Sequence, residues 1–306
     1  MTRPVVGIGE LLWDVFPDGR RVAGGAPFNF AFHCRQLGHA GTVVSRVGDD
    51  ELGRELREEV RRLGMSDEFI QTDPERPTGT VQVTLDAAGV PAYRITEGVA
   101  WDAIAWTPAV AALAGEAGAI CHGTLAQRAD TSCDTIQRFF GECLEVLRVF
   151  DVNLRQQYYR RERIIWSLYR SHTVKLNADE LAALADLFGW PGTTDAERVA
   201  ALFRSLFRFA AAETRLVILT RGADGCTVYP ADGEPLSEPA PPAAVVDTVG
   251  AGDAFTAAMV CLQLEGRPLR ECLRFALHYA ARVCEHRGAT PTIDRAEVER
   301  AALGAP

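Results

Sequence analysis

Apolar and polar residues follow two different periods along this chain. Short runs rich in Val, Ile and Leu indicate buried strands, and the stretches between them repeat apolar residues at the spacing of an amphipathic helix. The strand-like runs are residues 5–9, 42–47, 119–121, 146–152, 173–176 and 216–220, and the helix-like stretches are residues 25–37, 51–63, 131–143, 160–170, 178–187 and 196–211. Strands that alternate with helices build a parallel sheet with helices on both faces. We therefore expect an α/β fold with a doubly wound, mostly parallel sheet.

Two further segments alternate apolar and polar residues in the manner of half-exposed strands. Residues 78–85 and 92–96 predict a hairpin around a turn at residues 87–89, and residues 11–23 share the same pattern. A strand with one polar face does not belong in the buried middle of a parallel sheet. We expect the two segments, at about 11–23 and 78–97, to form a small β lid on a single domain that spans residues 1–306.

The last hundred residues predict one short β segment followed by helices. Residues 239–242 include three prolines and predict a surface turn, and the apolar residues 243–246 predict an extended strand after it. The final helix is expected near residues 294–303.

Composition narrows the classes of partner. The 306 residues include 32 Lys and Arg against 41 Asp and Glu, which gives a formal net charge of −9, and 47% of the residues are hydrophobic. This hydrophobic content is typical of a folded protein and not of a disordered one. A nucleic-acid-binding surface needs clustered basic residues. We therefore expect small-molecule ligands and no nucleic-acid partner.

The cysteines and the apolar runs indicate the compartment. Eight cysteines occur without a CxxC pair and without the Cys/His spacing of a zinc site, so we expect buried, reduced thiols. No run approaches the ~20 apolar residues that cross a membrane. Glu10 and Asp14 interrupt the first apolar run, which argues against a signal peptide. We expect a cytoplasmic protein that does not enter a membrane.

The strongest candidate for chemistry is the segment of residues 247–255, DTVGAGDAF. Gly250, Ala251 and Gly252 leave backbone N–H groups uncovered at the start of a predicted helix. A helix N-terminus with exposed amides binds anions such as phosphate. Asp253 repels an anion at that place, which is reasonable if its carboxylate must take a proton next to a phosphate. An isolated motif of this kind is more often an ordinary helix start.

A second glycine-rich segment lies near the N-terminus. Gly24 and Gly25 permit a close approach of the backbone to a ligand. Asn29 offers a donor and an acceptor for a hydroxyl group, and Asp14, just upstream, offers an acceptor. Taken singly, Asn29 could be a helix-start residue and Asp14 a polar residue on the wet face of a strand.

Three other phosphate-binding motifs do not fit. The segment of residues 7–12 begins like a dinucleotide fingerprint but has Leu12 where the third glycine belongs. The chain contains no GxxxxGK[ST] loop and no catalytic-loop or DFG signature of a protein kinase.

Together the two glycine-rich segments resemble the two signatures of the ribokinase-like, PfkB-type carbohydrate kinases. The resemblance covers nearly the whole chain and implies a ribokinase-like fold with a β lid. It implies an ATP- and Mg²⁺-dependent enzyme that transfers the γ-phosphoryl group to a primary hydroxyl of a sugar. In that reading Asp253 is the base, and the amides of Gly250, Ala251 and Gly252 form the anion hole.

The resemblance also assigns the nucleotide and metal contacts. Asn177 and Glu180 correspond to the Asn-x-x-Glu element that holds Mg²⁺ through water, and Asp247 corresponds to a ligand of an activating K⁺ ion in many relatives. The residues that would contact ATP or its phosphates are Lys175, Asn177, Thr220, Arg221, Gly222, Gly225 and Gly288.

Within the family, residues 9–17 and 151–155 are most similar to the fructokinase branch. This similarity implies that D-fructose is converted to fructose 6-phosphate. The sugar contacts would be Asp14, Gly24, Gly25, Asn29, Tyr93, Asn153 and Arg155. The alternatives are a 2-keto-3-deoxygluconate kinase that uses Arg155 and Arg94 to hold a carboxylate, a nucleoside kinase, and an inactive sugar-binding protein on the same scaffold.

The lid predicts an association between subunits. Trp13, Phe16, Val81 and Val83 supply candidate apolar surface, and large apolar patches seldom stay exposed on a monomer. We expect a homodimer joined through the lids. The alternative is that these side chains pack onto the core of their own chain.

Overall fold

The computed structural model describes residues 3–85, 91–143, 146–208 and 212–304. Within these ranges nine strands form the main sheet. From one edge to the other they are β13 (Leu236–Glu238), β12 (Cys226–Pro230), β11 (Leu216–Thr220), β10 (Thr173–Asn177), β9 (Leu147–Asp151), β8 (Ala119–His122), β1 (Pro4–Ile8), β4 (Ala40–Gly48) and β5 (Ile70–Asp73). All neighbours are parallel except the pairs β11–β12 and β12–β13.

Helices cover both faces of this sheet. The described helices are α1 (Ala26–Gln36), α2 (Glu51–Arg62), α3 (Pro108–Glu116), α4 (Asp130–Glu142), α5 (Arg161–Arg170), α6 (Ala178–Phe188), α7 (Asp195–Phe207), α8 (Ala251–Leu264), α9 (Leu269–Cys284) and α10 (Arg295–Leu303). Alternation along β1 explains the two layers, because Val5 packs against α8 and α9 while Val6 packs against α3 and α4. The doubly wound α/β fold expected from the sequence is confirmed.

The clearest error of the sequence prediction lies at residues 243–246, which form no strand. Val245 and Val246 are 63% and 56% exposed, so the apolar run has no sheet to join. The backbone N–H groups of Val246 and Asp247 donate instead to the carbonyl of Cys284 at the end of α9. The strands β5, β12 and β13 and the helix α3 were not expected. Few apolar residues mark β5 and β13, and α3 consists largely of alanine, which gives no helical repeat of apolar and polar residues.

The second sheet has four strands, in the order β3 (Arg21–Gly24), β2 (Leu12–Val15), β6 (Gly79–Leu85) and β7 (Pro91–Ile95). The lid sheet predicted from the alternating segments is therefore present. The predicted turn at residues 87–89 lies outside the described residues. Parallel pairing of β2 with β6 aligns Asp14 with Val81, and both side chains line a cavity between the lid and the main sheet.

The apolar residues of the lid do not form an exposed patch. The expectation that they supply an apolar surface for a homodimer is therefore wrong. Trp13 packs with α1 and α2 and donates its indole N–H to the carbonyl of Leu52 at 3.0 Å. Val81 and Val83 are 7% and 4% exposed, and Phe16 is covered by the guanidinium of Arg20 at 3.9 Å from its ring centre. These side chains are covered by their own chain.

The structure also describes the cysteines and the helices from which the compartment was inferred. All eight cysteines are free thiols, and seven of them are buried. None of the described helices combines the length and the apolar composition that a membrane crossing requires.

Helix α1 approaches β1 so closely that glycine is required at the contact. A Cβ atom on Gly7 would overlap the backbone carbonyl of Pro27. This contact sets the height of α1 above the sheet, and α1 carries Asn29 into the cavity.

We expect Gly7→Ala to destabilise the protein by about 1–3 kcal/mol, because the helix must move to admit the methyl group. Gly115→Ala, inside α3 and with open space around its Cβ position, is the matched control and should stabilise by up to ~1 kcal/mol. Urea unfolding measures both values. Equal midpoints for the two variants would contradict the contact.

Candidate active site

A cavity of about 930 Å³ lies between the carboxyl edge of the main sheet and the lid. Strands β1, β9, β10 and β11 all end there, as is usual for ligand sites in open α/β sheets. The predicted site residues in the cavity wall are Asp14, Gly25, Asn29, Tyr93, Asn153, Arg155, Lys175, Asn177, Glu180, Thr220, Asp247, Gly250, Gly252, Asp253 and Gly288.

Asp253 occupies the first turn of α8, at the middle of this cavity. Its Oδ2 accepts a hydrogen bond of 2.8 Å from the side-chain amide of Asn29. Burial raises the pKa of Asp253 to about 6, and the negative charge of Asp151 adds to that rise. Asn29, Lys175 and Arg155 act in the opposite direction. A carboxylate with a pKa near 6 is ionised at neutral pH and still basic enough to take a proton.

The anion hole expected from the sequence would lie at the N-terminus of α8. Gly250 adopts φ = +78°, and a Cβ atom there would overlap Ala289, so the turn needs glycine. The first amides of a helix have no partner within it, and the helix dipole adds positive potential. The amide of Ala251 does have a partner before the helix, because its N–H donates a long 3.3 Å bond to the carbonyl of Thr248.

A buried ion pair lies next to the first turn of α8. The ammonium group of Lys175 is 3.0 and 3.1 Å from the two carboxylate oxygens of Asp151, and the hydroxyl of Thr256 in α8 donates to the same carboxylate at 3.1 Å. The Lys175 Nζ atom lies 3.1 Å from the Cβ position of Gly252. Lys175 therefore adds positive charge beneath the loop while Asp151 fixes its position.

Asp14 and Arg155 lie in the wall of the same cavity. Burial raises the pKa of Asp14 to about 6, and the guanidinium of Arg155 counters that rise. Arg155 follows β9 in a loop whose flanking residues, Asn153 and Gln156, have φ values of +42° and +50°. Side chains other than glycine seldom adopt this conformation, and it often occurs at functional sites.

The same loop ties the body of the protein to the lid. Gln156 donates its side-chain amide to the backbone carbonyl of Tyr93 in β7 at 2.7 Å. Tyr93 itself is half exposed and lines the cavity. A polyhydroxylated molecule in the cavity would thus meet acidic and amide side chains near the lid and the glycine-containing start of α8.

Comparison with known proteins agrees with this arrangement. Residues 15–296 match the pfkB family carbohydrate kinase family. The chain is a pfkB family carbohydrate kinase.

Individual relatives place the kinase near enzymes that act on sugars. The fructokinase of Klebsiella pneumoniae is 28% identical over 268 residues, which cover 83% of this chain and 82% of that protein. The structure of a fructokinase from Xylella fastidiosa with bound ATP superposes with a TM-score of 0.83 at 19% identity, covering 98% and 99% of the two chains. An E. coli protein described as a ribokinase II, in complex with ATP and Mg²⁺, gives a TM-score of 0.81 at 19% identity and covers 98% of both chains.

The residues expected to approach Mg²⁺ form a capping box at the start of α6. Asn177 accepts through Oδ1 from the amide of Glu180 at 2.8 Å, and the Glu180 carboxylate accepts from the amides of Asn177 and Leu154 at 2.8 and 3.0 Å. The described residues contain no cluster of three or more His, Cys, Asp or Glu side chains able to hold a metal. The Mg²⁺ contact expected of Asn177 and Glu180 stays a prediction.

Asp247 joins two loops at the nucleotide end. Its carboxylate accepts from the amides of Val249 at 3.1 Å and Gly288 at 3.0 Å. This pairing closes the wall beside the anion hole. The K⁺ site expected at Asp247 stays a prediction.

Several predicted residues are not in the cavity wall. Arg221 donates instead to Asp195 at 3.0 Å and to the hydroxyl of Thr227 at 2.9 Å. Arg94 pairs with Gln82 in the ladder of β6 and β7. It follows Tyr93 directly on β7, and successive residues of a strand point to opposite faces of the sheet. The residues absent from the cavity lining are Gly24, Ala251, Arg221, Gly222, Gly225 and Arg94.

Five polar residues in the wall were not predicted as ligands: Glu10, Arg20, Gln156, Thr248 and Arg287. Glu10 is the most unusual of them, because it is only 3% exposed and its Oε2 has no hydrogen-bond partner. Its position directly after β1 was the available signal, since polar residues at a carboxyl strand end lie at the ligand-binding edge.

Replacement of Asn29 by Leu should move the acidic limb of the pH profile. With Asp253 as the predicted base, kcat/KM is expected to fall as the pH drops through its pKa of about 6. Loss of the donated hydrogen bond removes a stabilisation of the carboxylate, which raises the pKa and moves this fall to higher pH.

The measurement is kcat/KM between pH 5 and 9 for the wild type and both variants. Gln156→Leu is the control, because Gln156 also lies in the cavity wall but bonds Tyr93, and its limb should coincide with that of the wild type. A limb that stays in place in Asn29→Leu would contradict the role assigned to this bond.

Proposed function

We propose that this kinase phosphorylates D-fructose on its terminal primary hydroxyl, with ATP as the donor, and releases fructose 6-phosphate and ADP. The observation that carries the proposal is the pairing of Asp253 with an anion hole on one side and a hydroxyl-binding end on the other. Asp14 and Asn29 supply acceptors and a donor for the neutral sugar. The fructokinase relatives support this acceptor.

In the proposed reaction the primary hydroxyl attacks the γ-phosphorus as the bond to the β-phosphate oxygen of ATP breaks. The hydroxyl proton passes to the Asp253 carboxylate, which contributes ~10²–10⁴-fold to the rate. The amides of Gly250 and Gly252 stabilise negative charge on the phosphoryl oxygens. Bound Mg²⁺ would neutralise phosphate charge, with Glu180 and Asn177 orienting its water ligands. Closure of the lid excludes water, the competing acceptor.

The charges around the sugar end favour an uncharged acceptor. Burial raises the pKa of three carboxyls in the wall, those of Glu10, Asp14 and Asp253, and the charge of Arg155 partly offsets each of these rises. One cation therefore already serves three acidic groups. A sugar acid would bring a fourth negative charge to the same place, whereas a neutral ketose brings only hydroxyl groups.

A 2-keto-3-deoxygluconate kinase is the second candidate, and Arg20 is the observation that favours it. Arg20 lies in the cavity wall beside Phe16, where it could meet a carboxylate. Arg94, the other cation expected to hold an acid, does not line the cavity.

The homodimer remains a prediction that the described surface does not support. The outer face of β6 carries the polar side chains Gln82 and Thr84, both exposed. Sedimentation velocity at micromolar concentration tests it: a dimer has twice the 33.3 kDa of the chain, and a stable monomer would overturn it.

The acceptor is tested by ADP release with fructose, tagatose, ribose, 2-keto-3-deoxygluconate and adenosine. We expect the highest kcat/KM with fructose, exceeding that of 2-keto-3-deoxygluconate by roughly 10²-fold or more. A site built for a neutral sugar leaves polar groups unpaired when it binds a sugar acid, and this costs transition-state stabilisation. Asp253→Asn is the control and should lose ~10²–10⁴-fold in kcat while it still binds the sugar.

Two results would contradict different parts of the proposal. A clear preference for the acid would replace fructose as the acceptor and leave the base in place. Full turnover by Asp253→Asn would remove the base and leave the acceptor open to the same screen.

A further inference from the structure

Glu10 is a buried carboxyl in the cavity wall to which the proposed reaction gives no role. The side chain follows β1 and lies against the first turn of α1, and the residue is 3% exposed. Its Oε2 atom is buried without a hydrogen-bond partner among the described residues. An unpaired buried polar atom costs a protein free energy, so such an atom in a cavity wall indicates a ligand group that completes it.

A second unpaired acceptor lies in the same wall. Asn29 uses its amide nitrogen to hold Asp253, and its Oδ1 is buried without a partner. Both residues line the cavity, Asn29 from the first turn of α1 and Glu10 from the segment between β1 and β2. The two acceptors therefore suit a ligand that carries several hydroxyl donors.

Helix capping explains only part of the position of Glu10. The backbone amides of Glu10 and of Ala26, the first residue of α1, lower the pKa of the carboxyl, which is the usual effect at a helix N-terminus. Burial and the neighbouring Asp253 outweigh them and raise the pKa to about 7. A carboxyl needed only as a cap would lie at the surface, where its second oxygen meets water.

We propose that Glu10 is a specificity-determining residue of the sugar site, whose Oε2 accepts a hydrogen bond from an acceptor hydroxyl other than the one that is phosphorylated. The inference rests on the proposed function, because it takes the cavity occupant to be a polyhydroxylated, uncharged sugar. It predicts that Glu10 discriminates among sugars by the presence of one particular hydroxyl.

The test combines enzyme variants with sugar analogues. The variants are Glu10→Leu, which removes the acceptor, and Glu10→Gln, which keeps an oxygen of similar position. The substrates are fructose and its monodeoxy analogues that retain the C6 hydroxyl. Glu162→Leu, at an exposed position of α5, is the matched control. Thermal melting of each variant reports folding, and kcat/KM and the two KM values are measured at fixed pH.

In the wild type we expect one analogue to lose about 10- to 100-fold in kcat/KM relative to fructose, the usual effect of one hydrogen bond to a charged group. Glu10→Leu should lose a similar factor with fructose, through KM for the sugar and not for ATP. The same analogue should then cost Glu10→Leu nothing further, and Glu10→Gln should recover part of the loss.

The competing outcomes are distinct. The loss in kcat/KM for Glu10→Leu with an analogue can equal the product of the separate losses caused by the substitution and by the analogue. If this holds for every analogue, Glu10 does not touch a hydroxyl and the proposal is wrong. If Glu10→Leu does not fold, the same comparison with Glu10→Gln decides, and multiplying losses there overturn the proposal equally. If the wild type phosphorylates no sugar in the acceptor screen, the proposed function fails and this inference fails with it.

Discussion

The hydrogen bond from Asn29 to Asp253 joins the two parts of the chain on which the site depends. The bond is 2.8 Å long and connects residues 224 positions apart, and helices α1 and α8 pack together around it. One turn further along α1, His33 is fully buried and lies 2.9 Å from the carbonyl of Ala289, which packs against the anion-hole residue Gly250. Helix α1 thereby positions both Asp253 and the loop beside it.

Charge is concentrated around this bond, and burial determines how it behaves. The Asp253 carboxylate lies in the first turn of α8, and the negative charge of a second acidic group, Asp151, acts on it. Lys175 holds Asp151 in place, so the negative charge that raises the pKa of the base is itself fixed. A rigid arrangement of charges in a buried site needs no reorganisation when the proton moves. The parallel sheet makes this possible by bringing the ends of β9 and β10 next to α8.

The sequence predicts what local patterns encode and fails where distant contacts decide. Asp253 and Gly250 could be predicted because a helix start and its glycines are adjacent in sequence. The bond of Asn29 to Asp253 could not, since nothing local states which carboxyl the amide will meet. Arg221 follows a strand end and was expected at the phosphates, but Asp195 and Thr227 hold it elsewhere. Residues 243–246 were predicted as a strand from their apolar side chains. They form none because no neighbouring strand is available to pair with them, and the hydrophobicity of a segment does not reveal whether such a neighbour exists.

The central claim is that Asp253, a partly buried carboxylate with a raised pKa, serves as the base. Carbon-13 NMR of the side-chain carboxyl, assigned by comparison with Asp253→Asn and titrated with pH in the folded kinase, measures that pKa directly. The account predicts a midpoint at about 6 in place of the ordinary 3.8. A midpoint near 3.8 would contradict it, because the carboxyl would then behave as a solvated group and not as the partly buried base of this site.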